Sequence, residues 1–292
     1  MTNSKSLLST LVSKVKYLNT KYESFLERTF PNFYQLYSTF IKGFRVFFSE
    51  VKEIRRIKMN MAHKNIKFNQ LPYREMERLR QFRRDVMKVI PIGILSLPPF
   101  FNYLVFVLMY LFPRQLLMRH FWTMKQQAEF LGTYHNMRKK AYAEVVDGLK
   151  NLSNVLSDPE LRKQMLDLCK KVHEGCHPDI AELKAVKTLF VDHPFGIQQL
   201  KAQQVKALSR VLFLTPHLPS LLLRYRLQSH LLELHLLDQA MLQLGVKELT
   251  DEEVAVACYI RGLDSVHLNT MACRLWLNQW LALSSSLKGK TG

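Results

Sequence analysis

The pattern of apolar and polar positions divides the chain into three regions. Between Val89 and Pro113 the only ionisable side chains are the neutral tyrosines Tyr103 and Tyr110. At about 1.5 Å rise per residue, a helix from Val89 to Phe112 reaches roughly 36 Å, enough to cross a hydrocarbon core of about 30 Å with some tilt. The pattern therefore predicts one transmembrane helix over residues 89–113, with Tyr103 and Tyr110 able to meet an interface. Pro91, Pro98 and Pro99 fall inside it, and proline removes a backbone donor and kinks a helix. A buried helix of a soluble protein and a re-entrant loop broken at Pro98-Pro99 are the alternatives. Buried segments run about 10 to 14 residues, so length favours the crossing.

Residues 1–88 form a basic, amphipathic amino-terminal region. The first 22 residues place Leu7, Leu8, Leu11, Val12, Val15 and Leu18 at helical spacing among four lysines, with no acid. Their charge is that of an organelle transit segment, yet arginine is absent until Arg28; a plain amphipathic helix fits equally. Further on, Lys42 and Gly43 interrupt an apolar, aromatic run from Leu36 to Phe48. That mixture suits an interfacial helix lying on a bilayer, or a helix that packs on the rest of the protein.

Residues 114–292 read as one soluble all-α domain with no period-two alternation. Ser157-Asp158-Pro159-Glu160 and Thr250-Asp251-Glu252-Glu253 have the spacing of capping boxes, which mark helix starts. Leu161, Met165, Leu168 and Val172 follow the first at helical intervals, and Gly175 with Pro178 closes that helix. Further helices are predicted over 182–190, 198–214, 218–245, 252–261 and 271–287. The leucine-rich run 218–237 is interrupted by Arg224, Arg226, His230, Glu233 and His235, so it reads as the central helix of the domain rather than a second crossing.

Charge sharpens the picture. The chain carries a net +18, and residues 1–88 hold nineteen Lys/Arg against seven Asp/Glu, so most of the excess precedes the predicted span. Such a surface is drawn to anionic lipid, to nucleic acid or to solvent. The four cysteines show no disulfide framework, which predicts reduced thiols. Cys169, His173 and Cys176 could share a helix face, with His177 beside them, but zinc patterns pair their ligands across a turn and Gly175 ends the helix first. No phosphate-binding glycine loop, nucleophile elbow or His-Glu-x-x-His helix occurs, so the expectation is no enzyme, no cofactor and no metal. The candidate chemistry is electrostatic. Lys201, Lys206, Arg210, Arg224, Arg226, Arg261 and Arg274 would make a cationic docking surface for an acidic partner or RNA phosphates if their helices bring them to one face; solvated helix faces are the alternative.

The run Gly245-Val246-Lys247-Glu248-Leu249-Thr250-x-Glu252-Glu253-Val254-x-x-Ala257-Cys258-x-x-Arg261-Gly262-Leu263, followed by Arg274-x-x-Leu277-x-x-Trp280-Leu281, resembles the carboxy-terminal domain of the leucine zipper and EF-hand-containing transmembrane (LETM) family. Leu223-Arg224-x-x-Leu227 is similar to the family's Leu-Arg-x-x-Leu motif, and Gly175-x-x-Pro178 to its Gly-x-x-Pro turn. Glu75, Leu79, Asp85, Pro91, Pro99 and Leu111-Phe112-Pro113 match around the span, so the similarity covers residues 71–283. The form it resembles lacks the EF-hand and the long coiled-coil tail.

The resemblance implies a mitochondrial inner-membrane protein with one span and a helical, 14-3-3-like, ribosome-binding LETM domain in the matrix. Its implied partners are the mitochondrial ribosome (protein or rRNA), inner-membrane lipid, other inner-membrane proteins and a second copy of the chain. Family members also support cation/proton exchange and membrane organisation. Here the pattern departs: Asn102 stands where the family has an acid within the span, Tyr110 where it has a lysine, and Phe106 where it has a proline. Proton coupling needs a titratable group and Asn offers none, so K⁺/H⁺ exchange is the lesser reading. Six Lys/Arg in residues 74–88 against three in 113–127 would point the amino-terminal flank inward. The resemblance puts the carboxy-terminal domain there instead.

Overall fold

The structure, a computed structural model, describes residues 24, 28, 31–95, 108, 111, 112, 122, 124–190, 195–265 and 267–286. Every regular element among them is helical: α1 (Pro31–Lys64), α2 (Tyr73–Leu95), α3 (Met124–Ser153), α4 (Pro159–His173), α5 (Ile180–Ala185), α6 (Ala202–Val211), α7 (Ser220–Leu244), α8 (Asp251–Ile260) and α9 (Thr270–Ser286), with short 3-10 turns between some of them. The all-α expectation for the domain holds. The chain divides into two compact units, Met1–His63 with Leu79–Gln127, and Lys64–Arg78 with Ala128–Gly292.

In the first unit, α1 runs unbroken through Lys42 and Gly43, buries Ile54 and Ile57, and leaves Val46 and Phe48 exposed. Phe47 stacks on Phe82 at 5.9 Å between ring centroids. The predicted crossing begins inside α2, which continues through Val89 and Pro91 to Leu95. Pro99, Asn102 and Tyr110 lie outside the described residues, as does the amphipathic segment 1–22. Phe112 is exposed, and its amide donates to the Leu108 carbonyl. Among the described residues no helix is long and apolar enough to cross a membrane, so the single transmembrane helix is not a feature of the described structure. The charges of α2, Arg74, Glu75, Glu77, Arg78, Arg80, Arg83, Arg84, Asp85 and Lys88, all precede Val89, and most of the predicted crossing beyond Leu95 lies outside the described residues.

In the second unit, the local signals explain the helix boundaries. The start of α4 is capped by Asp158, one residue later than the box reading placed it: its carboxylate accepts from the amides of Glu160 (2.9 Å) and Leu161 (3.4 Å), and Pro159 occupies the first helical position. Its far end is a Schellman turn. Gly175 takes φ +82°, its amide donates to Val172, and the Cys176 amide reaches back to Lys171. The second box is as read: Glu253 N donates to Thr250 Oγ1 and Thr250 N to Glu253 Oε2. The run 182–190 splits into α5 and a 3-10 turn, Lys187–Phe190, and 198–214 shortens to α6.

Two apolar clusters hold the α3–α7 part together. Met165 and Cys169 of α4 pack with Leu156, Val186, Leu189 and Phe195, and Val205 of α6 packs with Leu200, Leu223 and Leu227. Leu152 of α3 lines both, which joins them. Full burial of a leucine stabilises by about 1.5–3 kcal/mol, so the Leu223 and Leu227 pair of the Leu-Arg-x-x-Leu motif is a structural anchor first. Further along, Leu234, Leu237 and Met241 of α7 are buried, as are Val254, Ala257 and Cys258 of α8 and Cys273, Leu277 and Leu281 of α9.

Candidate docking surface

The seven candidate cations do not share one face, and three of them serve the fold. Arg261 follows α8 and is a correction: it lies in the interior at 5% exposure, where a partner has no access. Its Nε donates to Asp238 Oδ1 at 2.8 Å, its Nη2 stands 2.6 Å from the same oxygen, and its Nη1 donates to the Ala257 carbonyl. Asp238 Oδ2 in turn accepts from Trp280 Nε1 (3.0 Å) and Ser284 Oγ (2.7 Å). One carboxylate on α7 therefore holds the end of α8 and the last turns of α9. Its only visible sequence signal is an acid within a leucine-rich helix.

Arg224 and Arg274 act as carbonyl clamps. Arg224 donates to Ile197 O (2.6 Å), Gln198 O (3.1 Å) and Leu200 O (2.6 Å), which closes the loop before α6 onto the second turn of α7. Arg274 donates to Val246 O and Leu249 O, both at 2.7 Å, and pairs with Asp251 at 3.0 Å. In each case charge-assisted bonds hold the carbonyls of a turn, with Val246 O shared between Arg274 and the Leu249 amide. The family-like arginines are thus used internally to fix loop geometry.

The other four remain at the surface. Arg210 is exposed but sits on Glu144 of α3, at 2.6 and 2.7 Å from the two carboxylate oxygens. Lys206 is exposed on α6, and Lys201 is exposed immediately before it, its amide donating to Gln204 Oε1. Arg226 is half-buried on α7. Lys201, Lys206 and Arg226 all lie in residues 193–232, which contain five Lys/Arg and no Asp/Glu.

A different buried cation was not legible from the sequence. Arg138 on α3 is fully buried, with its guanidinium against the rings of Phe213 (4.2 Å) and Tyr259 (4.9 Å), which stack on each other at 5.6 Å. It donates to Val211 O and Tyr259 O, both at 2.9 Å, so it ties α3 to the ends of α6 and α8. Desolvation pulls this group below the ordinary arginine value, against the opposing pull of Tyr142, Tyr259 and Asp264. One turn on, Tyr142 Oη donates to the Gly262 carbonyl at 2.6 Å, and burial pushes its phenol above the ordinary value, which keeps the proton it donates.

The Cys/His cluster is dispersed. Cys169 faces the core, whereas His173, Cys176 and His177 are exposed. All four cysteines are free thiols, with Cys258 and Cys273 buried, and Cys258 donates to the Cys273 carbonyl at 3.4 Å. At the start of α2, Arg74 donates to Glu253 Oε1 (2.8 Å) and Glu248 O (2.9 Å), which fastens that helix to the cap of α8. Burial opposes the charge of Glu253, yet the bonds from Arg74 and Thr250 outweigh it and hold the carboxyl below its usual range.

Comparison with known proteins agrees with these motifs. The family described as "LETM1-like, RBD" matches residues 71–291. The chain is 60% identical to LETM1 domain-containing protein 1 of Xenopus tropicalis over 289 residues, covering 98% of this chain and 82% of that protein. It is 53% identical to the Bos taurus protein of that name and 52% identical to the human one; each alignment covers 97% of this chain and 79% of the relative. With a family match over most of the chain and identities of 52–60% to these relatives, the chain belongs to the LETM1-like family.

Proposed function

We propose that this protein is a mitochondrial inner-membrane component whose carboxy-terminal helical domain docks the mitochondrial ribosome, or factors assembled with it, and holds them near the membrane. The observation that carries the reading is the match of a ribosome-binding family domain over residues 71–291. In support, Lys201 at the start of α6 and Lys206 on it stand exposed inside an acid-free stretch of sequence, as a phosphate-rich or acidic partner requires. Arg224 fixes the segment before α6 against α7, while Arg261 and Arg274 hold the α7–α8–α9 end of the domain, so the role of all three is to position rather than to touch. The proposal includes the single membrane crossing over 89–113, a matrix location for the second unit, and contacts with inner-membrane lipid and proteins.

The test is co-sedimentation of detergent-solubilised protein with mitochondrial ribosomes across a salt series. Lys201→Glu with Lys206→Glu should weaken binding by about tenfold or more at low salt, through loss of phosphate contacts, with the helical content unchanged. Equal sedimentation of folded wild type and double variant contradicts the docking surface.

A further inference from the structure

We propose that the outward stripe of α7, with Leu221, Leu222 and Tyr225 at its tip, is a docking site for an anionic lipid bilayer. The inference stands whether or not the domain binds ribosomes. Leu221 is 77% exposed, Tyr225 71% and Leu222 51%, on a well-formed helix whose opposite face buries Leu223, Leu227 and Leu234. Leu221, Tyr225 and Leu232 follow one another at helical spacing along the outer face, and Leu232 is itself 49% exposed. A helix that is apolar on both faces is ordinarily enclosed on both. Here the inner face is covered by the domain, and among the described residues nothing encloses the outer one.

The chemistry around the stripe selects the occupant. Residues 193–232 carry five Lys/Arg and no acid; Arg226 adjoins Tyr225, and the Lys201 segment is fastened beside the second turn of α7 by Arg224. Of the acids that border this surface, Glu144 is engaged by Arg210, and Glu233 lies two turns beyond Tyr225 along α7. Aliphatic side chains beside a tyrosine and unopposed cations form the set that enters a bilayer interface: leucines in the acyl boundary, the phenol at headgroup level and the cations on lipid phosphates. RNA would use the cations and the tyrosine ring but gains nothing from two projecting leucines. A neutral apolar groove would take the leucines, but the cations Lys201 and Arg226 beside them would bring it no advantage.

The experiment uses the full chain with Cys176→Ser and Gln228→Cys, labelled at position 228 with a polarity-sensitive dye; the other three cysteines are buried. It is reconstituted into vesicles of phosphatidylcholine alone or of phosphatidylcholine mixed with cardiolipin. The expected result is a blue-shifted emission that doxyl-labelled lipid quenches in the cardiolipin vesicles. The signal should fall by at least half in phosphatidylcholine alone, fall again with Arg226→Glu, and vanish with Leu221→Ser, Leu222→Ser and Tyr225→Ser combined, at unchanged circular dichroism. A dye that iodide quenches and doxyl-lipid does not, in both vesicle types, overturns the proposal. Protection that appears only when ribosomes are added also overturns it, and transfers the stripe to the ribosome contact. Ribosome sedimentation that survives the triple serine variant, alongside loss of the lipid signal, supports it as a separate function.

Discussion

Removal of Asp238 should destabilise this protein more than removal of any surface charge. The side chains of Arg261 and Asp238 are 0% and 3% exposed, and the same carboxylate also accepts from Trp280 and Ser284. Asp238→Ala strips a buried guanidinium of its counter-charge, a loss of about 3–5 kcal/mol when one member of a buried pair is removed. Two orphaned donors push toward the upper end of that range, because a buried unsatisfied group costs about 1–3 kcal/mol, though the terms share one site and do not simply add. For a body of this size each kcal/mol moves the midpoint about 2–4 °C, so a fall of roughly 6–20 °C is expected. Asp238→Leu combined with Arg261→Met removes both charges and should recover at least about 2 kcal/mol relative to Asp238→Ala. The assay is urea unfolding followed by tryptophan fluorescence, since Trp276 and Trp280 stack at 5.5 Å beside this carboxylate and report its loss directly. A loss below about 1 kcal/mol for Asp238→Ala, in the range of ordinary surface substitutions, would refute the assignment of Asp238 as the centre of the α7–α8–α9 junction. So would a paired variant no more stable than the single one.

Gly262 has φ +112°, and an added Cβ would lie 2.8 Å from Tyr142 Oη. Gly262→Ala should therefore cost about 1–3 kcal/mol in the same unfolding assay, and Tyr142→Phe should relieve part of that loss in the double variant. Burial, with a smaller push from Cys273, raises the Cys258 thiol to about 12. The folded state therefore keeps this proton while the unfolded chain gives it up near pH 8.5, so the contribution is complete below that pH and is lost as pH rises toward about 12. Stability should decline on the alkaline side, and Cys258→Ala should flatten the decline; a pH profile unchanged by that substitution contradicts the reasoning. In the native protein at neutral pH, an alkylating reagent followed by peptide mass spectrometry should mark Cys176 and spare Cys169, Cys258 and Cys273. In liposomes the purified protein should show no K⁺/H⁺ exchange above empty vesicles, because Asn102 cannot carry a proton; a robust flux that collapses on substitution of Asn102 would sink that expectation.

Local signals carried the helices well. The Thr250 box, the Gly175 turn and the end of the leucine-rich run at Gly245 fall where sequence spacing puts them, because each depends on residues three to five positions apart. The Asp158 cap moved by one residue because Asp accepts an amide proton as well as Ser does, and the sequence offers both side by side. The family and the all-α class were legible from spaced motifs. The uses of the arginines were not. Whether Arg261 faces solvent or Asp238 depends on a partner 23 positions away, and Arg224 on a loop 24 to 27 residues upstream, contacts that neither periodicity nor charge counting encodes. Cations that look like one docking surface in a linear count separate in three dimensions into interior clamps and a smaller exposed set. Arg138 was hidden for the same reason: its ring partners Phe213 and Tyr259 lie 75 and 121 positions away in the chain.

The most direct measurement is affinity purification of the tagged full chain from detergent-solubilised mitochondria across a salt titration, with identification of the co-purifying proteins and sequencing of bound RNA. The account predicts mitochondrial ribosomal proteins together with rRNA, both released progressively as salt rises and both depleted by Lys201→Glu with Lys206→Glu. Recovery of membrane proteins alone, without rRNA at any salt concentration, would contradict it.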